Sequence, residues 1–485
     1  MSLYTPEHPA GLPVGDEWVR TSTEEVRFPF TGEVVASAPI GDAELAKLAI
    51  SNAVEVRRVM AQLPSRVRRQ WLRETYSFLA SRREEFERLL VLETGKPLRD
   101  CKVEVARALV TLETSADEVA RLHGETVQLD LLPTGDGMTG FWQRKPIGVV
   151  VGITGFNYPL LLAVHKLGPA IAAGCPIILK TAPATPLATL WLVHVLREVA
   201  RRLGAPIGAV QLITGDAAVG ESLTTDPRIG VVSFTGSSKV GHQIARAAAP
   251  RKVLLELGSN AALIIDDSAN VAAAADAAVR GGYYASGQAC IAIQRILVLD
   301  SVAEEFLSLL NSNMKRVVVG DPREESTQVS ALINEASTSR VLEWIREAER
   351  AGSRIVIGGS RIGSCIAPTV LADVPDGVNI WDEEAFGPVV CVRRVPDLQT
   401  AIDMVNKSRF GLHASIFTES IESAFRCIDE LEVGGVVVNE VPGYRSDTMP
   451  YGGVKDSGIG REGPRFAIEE FTVTRMAIIR PSVGE

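Results

Sequence analysis

Cys290 stands in the stretch GGYYASGQACIAIQR (residues 281–295), between small and apolar neighbours and directly after Gly287, Gln288 and Ala289. No bulky side chain adjoins it, and Gly287 lets the backbone pass close to another segment. A thiol so placed could be a nucleophile, or it could be a small buried hydrophobe, the commoner fate of free cysteine. Glu256 is the one polar residue of the apolar run VLLEL (253–257), two positions before Gly258. A carboxylate against an apolar wall has its charged form disfavoured, which suits a general base near neutral pH. A strand-end glutamate paired with a lysine would read the same way. Asn157, in GITGFNYP (152–159), lies on a loop held between glycine and Pro159. Its amide could stabilise an oxyanion, or it could satisfy its own turn.

A second group points to a nucleotide. FTGSSKVG (234–241) joins an apolar strand to a helix. Gly236 permits the turn and Ser237 is expected to cap the helix, leaving first-turn N–H groups free for a pyrophosphate. The pattern is not GxGxxG, and many strand–helix junctions carry Gly-Ser. Lys180 ends the strand PIILK (176–180) at a carboxyl end, where open α/β sheets hold ligands. A solvated strand-end lysine is the plainer alternative.

The elements that must position these groups alternate. GVVVGI (148–153), PIILK, AVQLITG (209–215) and VVSFTG (231–236) read as buried parallel strands. Helical patterns at 160–172, 186–203, 216–224 and 238–248 separate them. A second series begins near Val253: VLLEL, AALIID, RILVLD, RIVIGG, PVVCVRR, HASIFT and GGVVVNE, with helices at 301–315, 335–351, 399–406 and 420–431. The fold class is therefore α/β, with two doubly wound domains. Before them the pattern predicts helices at 42–60, 66–94 and 100–121. Residues 125–131 and 139–145 predict a hairpin, and 467–481 an extended tail. The domain reading is 1–124 with 146–255 for the dinucleotide, 256–465 for catalysis, and 125–145 with 466–485 as a bridging β element.

Length and composition agree. A chain of 485 residues exceeds one hydrophobic core. A net charge of −9 and the lack of a basic block argue against nucleic acid. Six scattered cysteines without a CxxC pair suit a reduced, cytoplasmic setting better than a disulfide frame or a metal site. The apolar window 159–179 is broken by His165, Lys166, Pro169, Gly174 and Pro176, so it reads as a buried helix and strand rather than a membrane span.

Eight ordered motifs then coincide: GFNYP (155–159), LK (179–180), FTGS (234–237), ELG (256–258), GQAC (287–290), EEAFGP (383–388), NKSRFGL (406–412) and PYGGVKDSGIGREG (450–463). Together they resemble the aldehyde dehydrogenase superfamily over nearly the whole chain. The resemblance implies NAD or NADP as cofactor, a small-molecule aldehyde as substrate, and a homodimer or homotetramer. It casts Cys290 as nucleophile, Asn157 with the Cys290 N–H as oxyanion hole, Glu256 as water-activating base, and Lys166 as a proton relay beside it. Ile153, Thr154, Gly155 and Phe156 fall at the cofactor, as do Gly215, Leu257 and Gly258. Lys180 falls at the adenosine ribose and Gly236 with Ser237 at the pyrophosphate. Glu384 matches a ligand of the nicotinamide ribose, and Phe386 packs beside that ring. Phe156, Tyr158, His165, Ile291 and Tyr444 match the aldehyde tunnel. Arg445 could grip an acidic substrate, although a surface ion pair is the plainer expectation.

Three departures qualify the match. Pro183 stands where many members carry a glutamate for the adenosine ribose hydroxyls, which opens the site to NADP. Ser259 replaces a glycine of the ELGG motif. The motifs look closest to the branch of lactaldehyde and nonphosphorylating glyceraldehyde-3-phosphate dehydrogenases, yet Ala289 replaces an arginine that grips phosphate there. A CoA-acylating enzyme and a catalytically silent protein on the same fold are the alternatives.

Overall fold

The computed structural model describes residues 2–480. A six-stranded sheet runs in the order Gly458–Ile459, Lys252–Glu256, Ile229–Thr235, Val149–Ile153, Ile177–Lys180, Val210–Ile213. All neighbours pair in parallel except the short first strand. A seven-stranded sheet has the order Arg354–Ile357, Thr369–Ala372, Val389–Val395, Arg295–Leu299, Ala262–Ile265, His413–Phe417, Gly435–Val438, with only the first strand antiparallel.

Both faces of the second sheet are buried, which is why its strands are apolar runs rather than alternations. The period of two still sorts them. Ile264 and Leu297 join the core under helix Glu335–Arg350, whereas Leu263, Ile265, Ile296 and Val298 join the core under helices Val271–Tyr283 and Asp300–Met314. Helices Ala43–Gln62, Pro159–Ala173 and Leu187–Leu203 bury their apolar faces in the first core. The 159–179 window is a helix and a strand, as expected, and no helix among the described residues is long and apolar enough to cross a membrane.

Four expectations change. VLLEL pairs with Ile229–Thr235 and belongs to the first sheet, not the second series. An apolar run carries no mark of which sheet it joins. The 66–94 pattern is two helices, Ser65–Ser81 and Arg83–Thr94, broken at Arg82. Arg82 leaves helical geometry there and reaches Glu7 while its guanidinium covers Trp191. The tail splits into helix Pro464–Glu470 and strand Thr472–Ile479, because Ala467 and Ile468 enter the first core and Pro464 fits a first helical position. Pro481 lies outside the described residues. The hairpin pairs only Glu125–Val127 with Thr139–Pro146, and Thr472–Ile479 pairs along the other edge.

Candidate active site

The loop before Cys290 is built to hold one shape. Ala285, Ser286 and Gly287 all have positive φ (49°, 56° and 74°). A Cβ on Gly287 would sit 2.1 Å from the Gly387 carbonyl oxygen, so glycine is the residue that position admits. Buried partners fix the turn: Asp100 accepts from Ala285 N at 2.9 Å, Ser286 Oγ from Ser330 N at 2.8 Å, and Gln288 Oε1 from Ile333 N at 3.0 Å. Such strain persists where the surroundings overdetermine it.

This loop carries Cys290 to the wall of a cavity of about 280 Å³. Asn157, Glu256 and Glu384 line the same cavity, with Gly155, Phe156, Gly236, Ser237, Leu257 and Gly258. Tyr158, His165, Ile291 and Arg445 line its other end. Residues as far apart in sequence as Arg107 and Tyr451 thus share one space. Asn157 Nδ2 donates to the Gln288 carbonyl at 2.8 Å, which ties the amide to the cysteine loop and leaves its second N–H free of that bond. Phe386, itself at φ 49°, meets Phe156 edge to face, with centroids 5.7 Å apart.

Burial dominates the titrations. Both Glu256 carboxylate oxygens are buried without a hydrogen-bond partner. Burial first, and the Glu462 charge second, raise its pKa well above the usual carboxylate range. Burial raises Glu384 to about 7, against the pull of the Ser259 N–H it accepts at 3.0 Å. Burial pushes the Cys290 thiol up to about 11, partly offset by a hydrogen bond with Tyr451.

Lys166 is displaced from its expected role. Its Nζ donates to Thr235 Oγ1 at 2.8 Å and to Glu462 Oε1 at 3.0 Å, and the side chain lies behind the cavity wall. It reaches Glu256 only through the field, lowering that pKa. Tyr444 is also misplaced: it is 56% exposed and faces away from the cavity its neighbours Gly443 and Arg445 line. Successive residues of an extended turn point opposite ways, so a one-residue error reverses the side chain. Arg445 is ion-paired as the plainer expectation had it, but inside the protein rather than at the surface. Its side chain is 6% exposed and its guanidinium lies 3.6 Å from the Tyr451 ring centre. Nη2 lies 3.4 Å from Glu462 and Nε 3.8 Å from Asp447, and Nε makes no hydrogen bond.

Residues the motifs did not single out complete the far end. Arg107 makes a two-pronged pair with Asp447 at 3.0 and 2.8 Å. His165 Nε2 lies 3.0 Å from Asp447 and Nδ1 3.2 Å from Glu462. Burial alone would raise Asp447 and Glu462. Hydrogen bonds from His165 and Arg107 hold Asp447 well below its ordinary value, and the Lys166 charge does the same for Glu462. Two ionised carboxylates, Asp447 and Glu462, therefore face Arg107, Lys166 and Arg445. Tyr451 and Glu462 fall in a quoted motif, PYGG…REG, and could have been flagged there. Arg107 sits in an ordinary charged helix and carried no signal.

A second cleft, of about 610 Å³, opens at the carboxyl ends of the first sheet. Ile153, Lys180, Pro183, Gly215 and Phe234 line it. Lys180 Nζ donates to the Gly215 carbonyl at 2.8 Å, and burial lowers its pKa. Thr154 lies between the strands with its hydroxyl buried and unpartnered, lining neither space. Ser237 occupies the cap position of helix Ser238–Ala248, but its hydroxyl makes no capping bond. The expected side-chain cap is absent, and the hydroxyl borders the cavity instead. A dinucleotide fits this layout: a wide cleft at strand ends, an uncapped helix start and a narrow cavity holding the thiol.

A model of the aldehyde dehydrogenase family matches residues 18–477. The chain is 37% identical over 481 residues to the 3-sulfolactaldehyde dehydrogenase of Priestia aryabhattai, covering 99% of this chain and 100% of that one. Its fold is similar to that of aldehyde dehydrogenase 21 from Physcomitrella patens in complex with the reaction product succinate. That likeness has a TM-score of 0.94 and 34% identity, over 99% of this chain and 100% of the other. It is also similar to the glyceraldehyde-3-phosphate dehydrogenase of Methanocaldococcus jannaschii complexed with NADP (TM-score 0.91, 33% identity, 95% and 100% covered).

Proposed function

The chain belongs to the aldehyde dehydrogenase family, and we propose that it oxidises a short anionic aldehyde to the carboxylic acid with NADP or NAD. The observation that carries this reading is the single cavity shared by Cys290, Asn157, Glu256 and Glu384. Cys290 Sγ attacks the carbonyl carbon, and the π electrons move to the oxygen. The second N–H of Asn157 and the Cys290 backbone N–H hold that oxyanion. A nicotinamide held by Glu384 and Phe386 would supply the hydride acceptor that conversion of the adduct to a thioester requires. Glu256 then takes a proton from water as the water oxygen bonds to the thioester carbon. Collapse of that adduct breaks the C–S bond, releases the acid and returns the thiolate.

Glu384 and Phe386 would hold the nicotinamide ribose and ring. Ser237 and the N–H groups of helix Ser238–Ala248 would take the pyrophosphate, and Lys180 the adenosine ribose. Pro183 in the cleft wall supports acceptance of a 2′-phosphate, since that position itself brings no carboxylate; Asp216 and Glu221 are the acidic residues of the same cleft. Lys166 acts on Glu256 through charge rather than by passing a proton to it.

The anionic class rests on Arg445, whose buried guanidinium lines the cavity and whose Nε donates no hydrogen bond. Sulfolactaldehyde and succinate, named for two relatives, are both acidic and support this choice. Glu256 disfavours CoA transfer, which needs no water-activating base. Residues 125–145 and 472–480 serve as a bridging element between subunits, supported by the exposed apolar Met476, Ile478 and Ile479 on the final strand.

The test is a spectrophotometric screen of anionic, hydroxylated and neutral aldehydes with each cofactor, with and without CoA. Reduced cofactor formed from acidic aldehydes without CoA is the expected result. Reduced cofactor formed only when CoA is added, or from no aldehyde at all, overturns the reading.

A further inference from the structure

The proposed reaction needs a Cys290 thiolate, yet most of what surrounds Sγ opposes one. Burial is the largest obstacle, and the Glu384 and Glu256 charges add to it. One group works the other way at hydrogen-bond range: the Tyr451 hydroxyl, 3.2 Å from Sγ. The ring cannot swing off. It is 2% exposed, the Arg445 guanidinium covers one face, and His413 meets it edge-on at 5.1 Å. Its backbone is tied both ways to Glu462, N–H to carbonyl at 3.0 and 2.6 Å. His413 is fixed in turn, with Nδ1 2.9 Å from the Pro442 carbonyl. A Cβ on Gly435 would come within 2.6 Å of His413 Nε2, so that strand leaves the imidazole its space.

We propose that Tyr451 is a catalytic residue whose hydroxyl donates to Cys290 Sγ and favours the thiolate before aldehyde attack. The proposal rests on the role given to Cys290 above. The thiol proton leaves to water in the cavity, and Tyr451 keeps its own, since burial raises the phenol well above its ordinary value. A hydrogen bond to an ionised acceptor is about twice as strong as one to a neutral acceptor. The bond therefore weakens when Sγ joins carbon and is regained when the C–S bond of the second adduct breaks. One fixed donor assists both the entry and the departure of sulfur. Thiolate stabilisation also costs some nucleophilicity, because reactivity falls with basicity by a Brønsted factor near 0.4–0.5.

Alkylation of the full-length protein by iodoacetamide tests this, with neither aldehyde nor cofactor present, so it reads the thiol even if no aldehyde is turned over. Cys290→Ala identifies the rate that belongs to this site. Losing a charge-assisted bond raises the thiol by about 1 to 2 pH units. After the nucleophilicity correction, Tyr451→Phe is then slower at pH 8 by roughly 3- to 10-fold. Its profile also levels off at higher pH. Profiles that superimpose, or a faster variant at pH 8, overturn the proposal. A merely structural tyrosine would lower the melting temperature without moving the profile. Should Tyr451→Phe not fold, 3-fluorotyrosine at position 451 supplies a more acidic donor. Its profile should move to lower pH, and no movement is equally damaging.

Discussion

The two spaces at the carboxyl edge of the first sheet are made in different ways. The wide cleft takes its walls from residues 153–247, a run of consecutive strand–helix units. The smaller cavity takes its walls from residues 107–451, drawn from strand ends of the first sheet, helices Leu98–Glu118 and Pro159–Ala173, the Cys290 loop, Glu384 with Phe386, and the loop at 443–451. The cleft offers a lysine already bonded to a carbonyl and the start of helix Ala217–Thr225, capped by Asp216. The cavity gathers Cys290, Glu256, Glu384 and Tyr451, each driven off its ordinary pKa by burial. Recognition can be assembled locally from turns, whereas reactivity here depends on distant segments excluding water together.

That contrast predicts that the buried reactive groups of the cavity fail in chemistry, and that residues at helix starts fail in affinity or stability. The largest effect belongs to Cys290→Ala. Steady-state turnover should fall at least about 10³-fold, with a melting temperature within a degree or two of the parent. Residual activity near the parent level would mean that the cavity is not where bonds change.

Glu256→Gln comes next. Reduced cofactor should still appear in a single turnover, while the steady rate drops roughly 10²- to 10⁴-fold. The same variant reports the field inside the cavity. Glu256 has a folded pKa above its unfolded value near 4.3, so the folded state binds the extra proton and stability falls as pH rises through that interval. Removing the titration should therefore raise the melting temperature at pH 8, with the gain vanishing below about pH 4. A gain that persists in acid would point to packing rather than charge.

How much of this was legible follows the same division. Lys180, Gly236 and the strand-end glycines were readable because one strand–turn–helix unit carries both motif and geometry. The Cys290 loop was readable too, since Gly287 must pass the Gly387 carbonyl and no other residue type can. Arg107 was invisible: its charge looks like any helix surface, and only the packing of helix Leu98–Glu118 against Pro159–Ala173 turns it inward. Arg445 and Tyr444 were assigned from neighbouring positions, but which one faces inward is set by the loop's path, not by residue type. VLLEL failed for a related reason, because sheet membership is a long-range fact that a uniform apolar run cannot encode.

Arg445→Met sharpens the cavity side of the comparison. It should lower kcat/KM for an anionic aldehyde by about 10- to 100-fold, and that for a neutral aldehyde of equal length by less than about threefold. Equal losses on both would make Arg445 a brace for Tyr451 and Glu462 rather than a substrate ligand.

The smallest effect sets a residue of the cavity wall against one of the cleft, and it separates recognition from folding. Ser237 sits at a helix start but caps nothing, whereas Asp216, at the start of helix Ala217–Thr225, accepts from Ala218 N at 3.0 Å and Val219 N at 3.3 Å. Removing a working cap costs about 1 kcal/mol, so Asp216→Ala should destabilise the protein by that amount. Ser237→Ala should change stability by less than about 0.5 kcal/mol. Its hydroxyl is free for phosphate, so the KM for the dinucleotide should instead rise roughly 3- to 10-fold at unchanged kcat. Parallel denaturation and initial-rate measurements on the two variants decide it. If Ser237→Ala loses stability as Asp216→Ala does, the hydroxyl is a cap in solution and the helix start is closed to the cofactor.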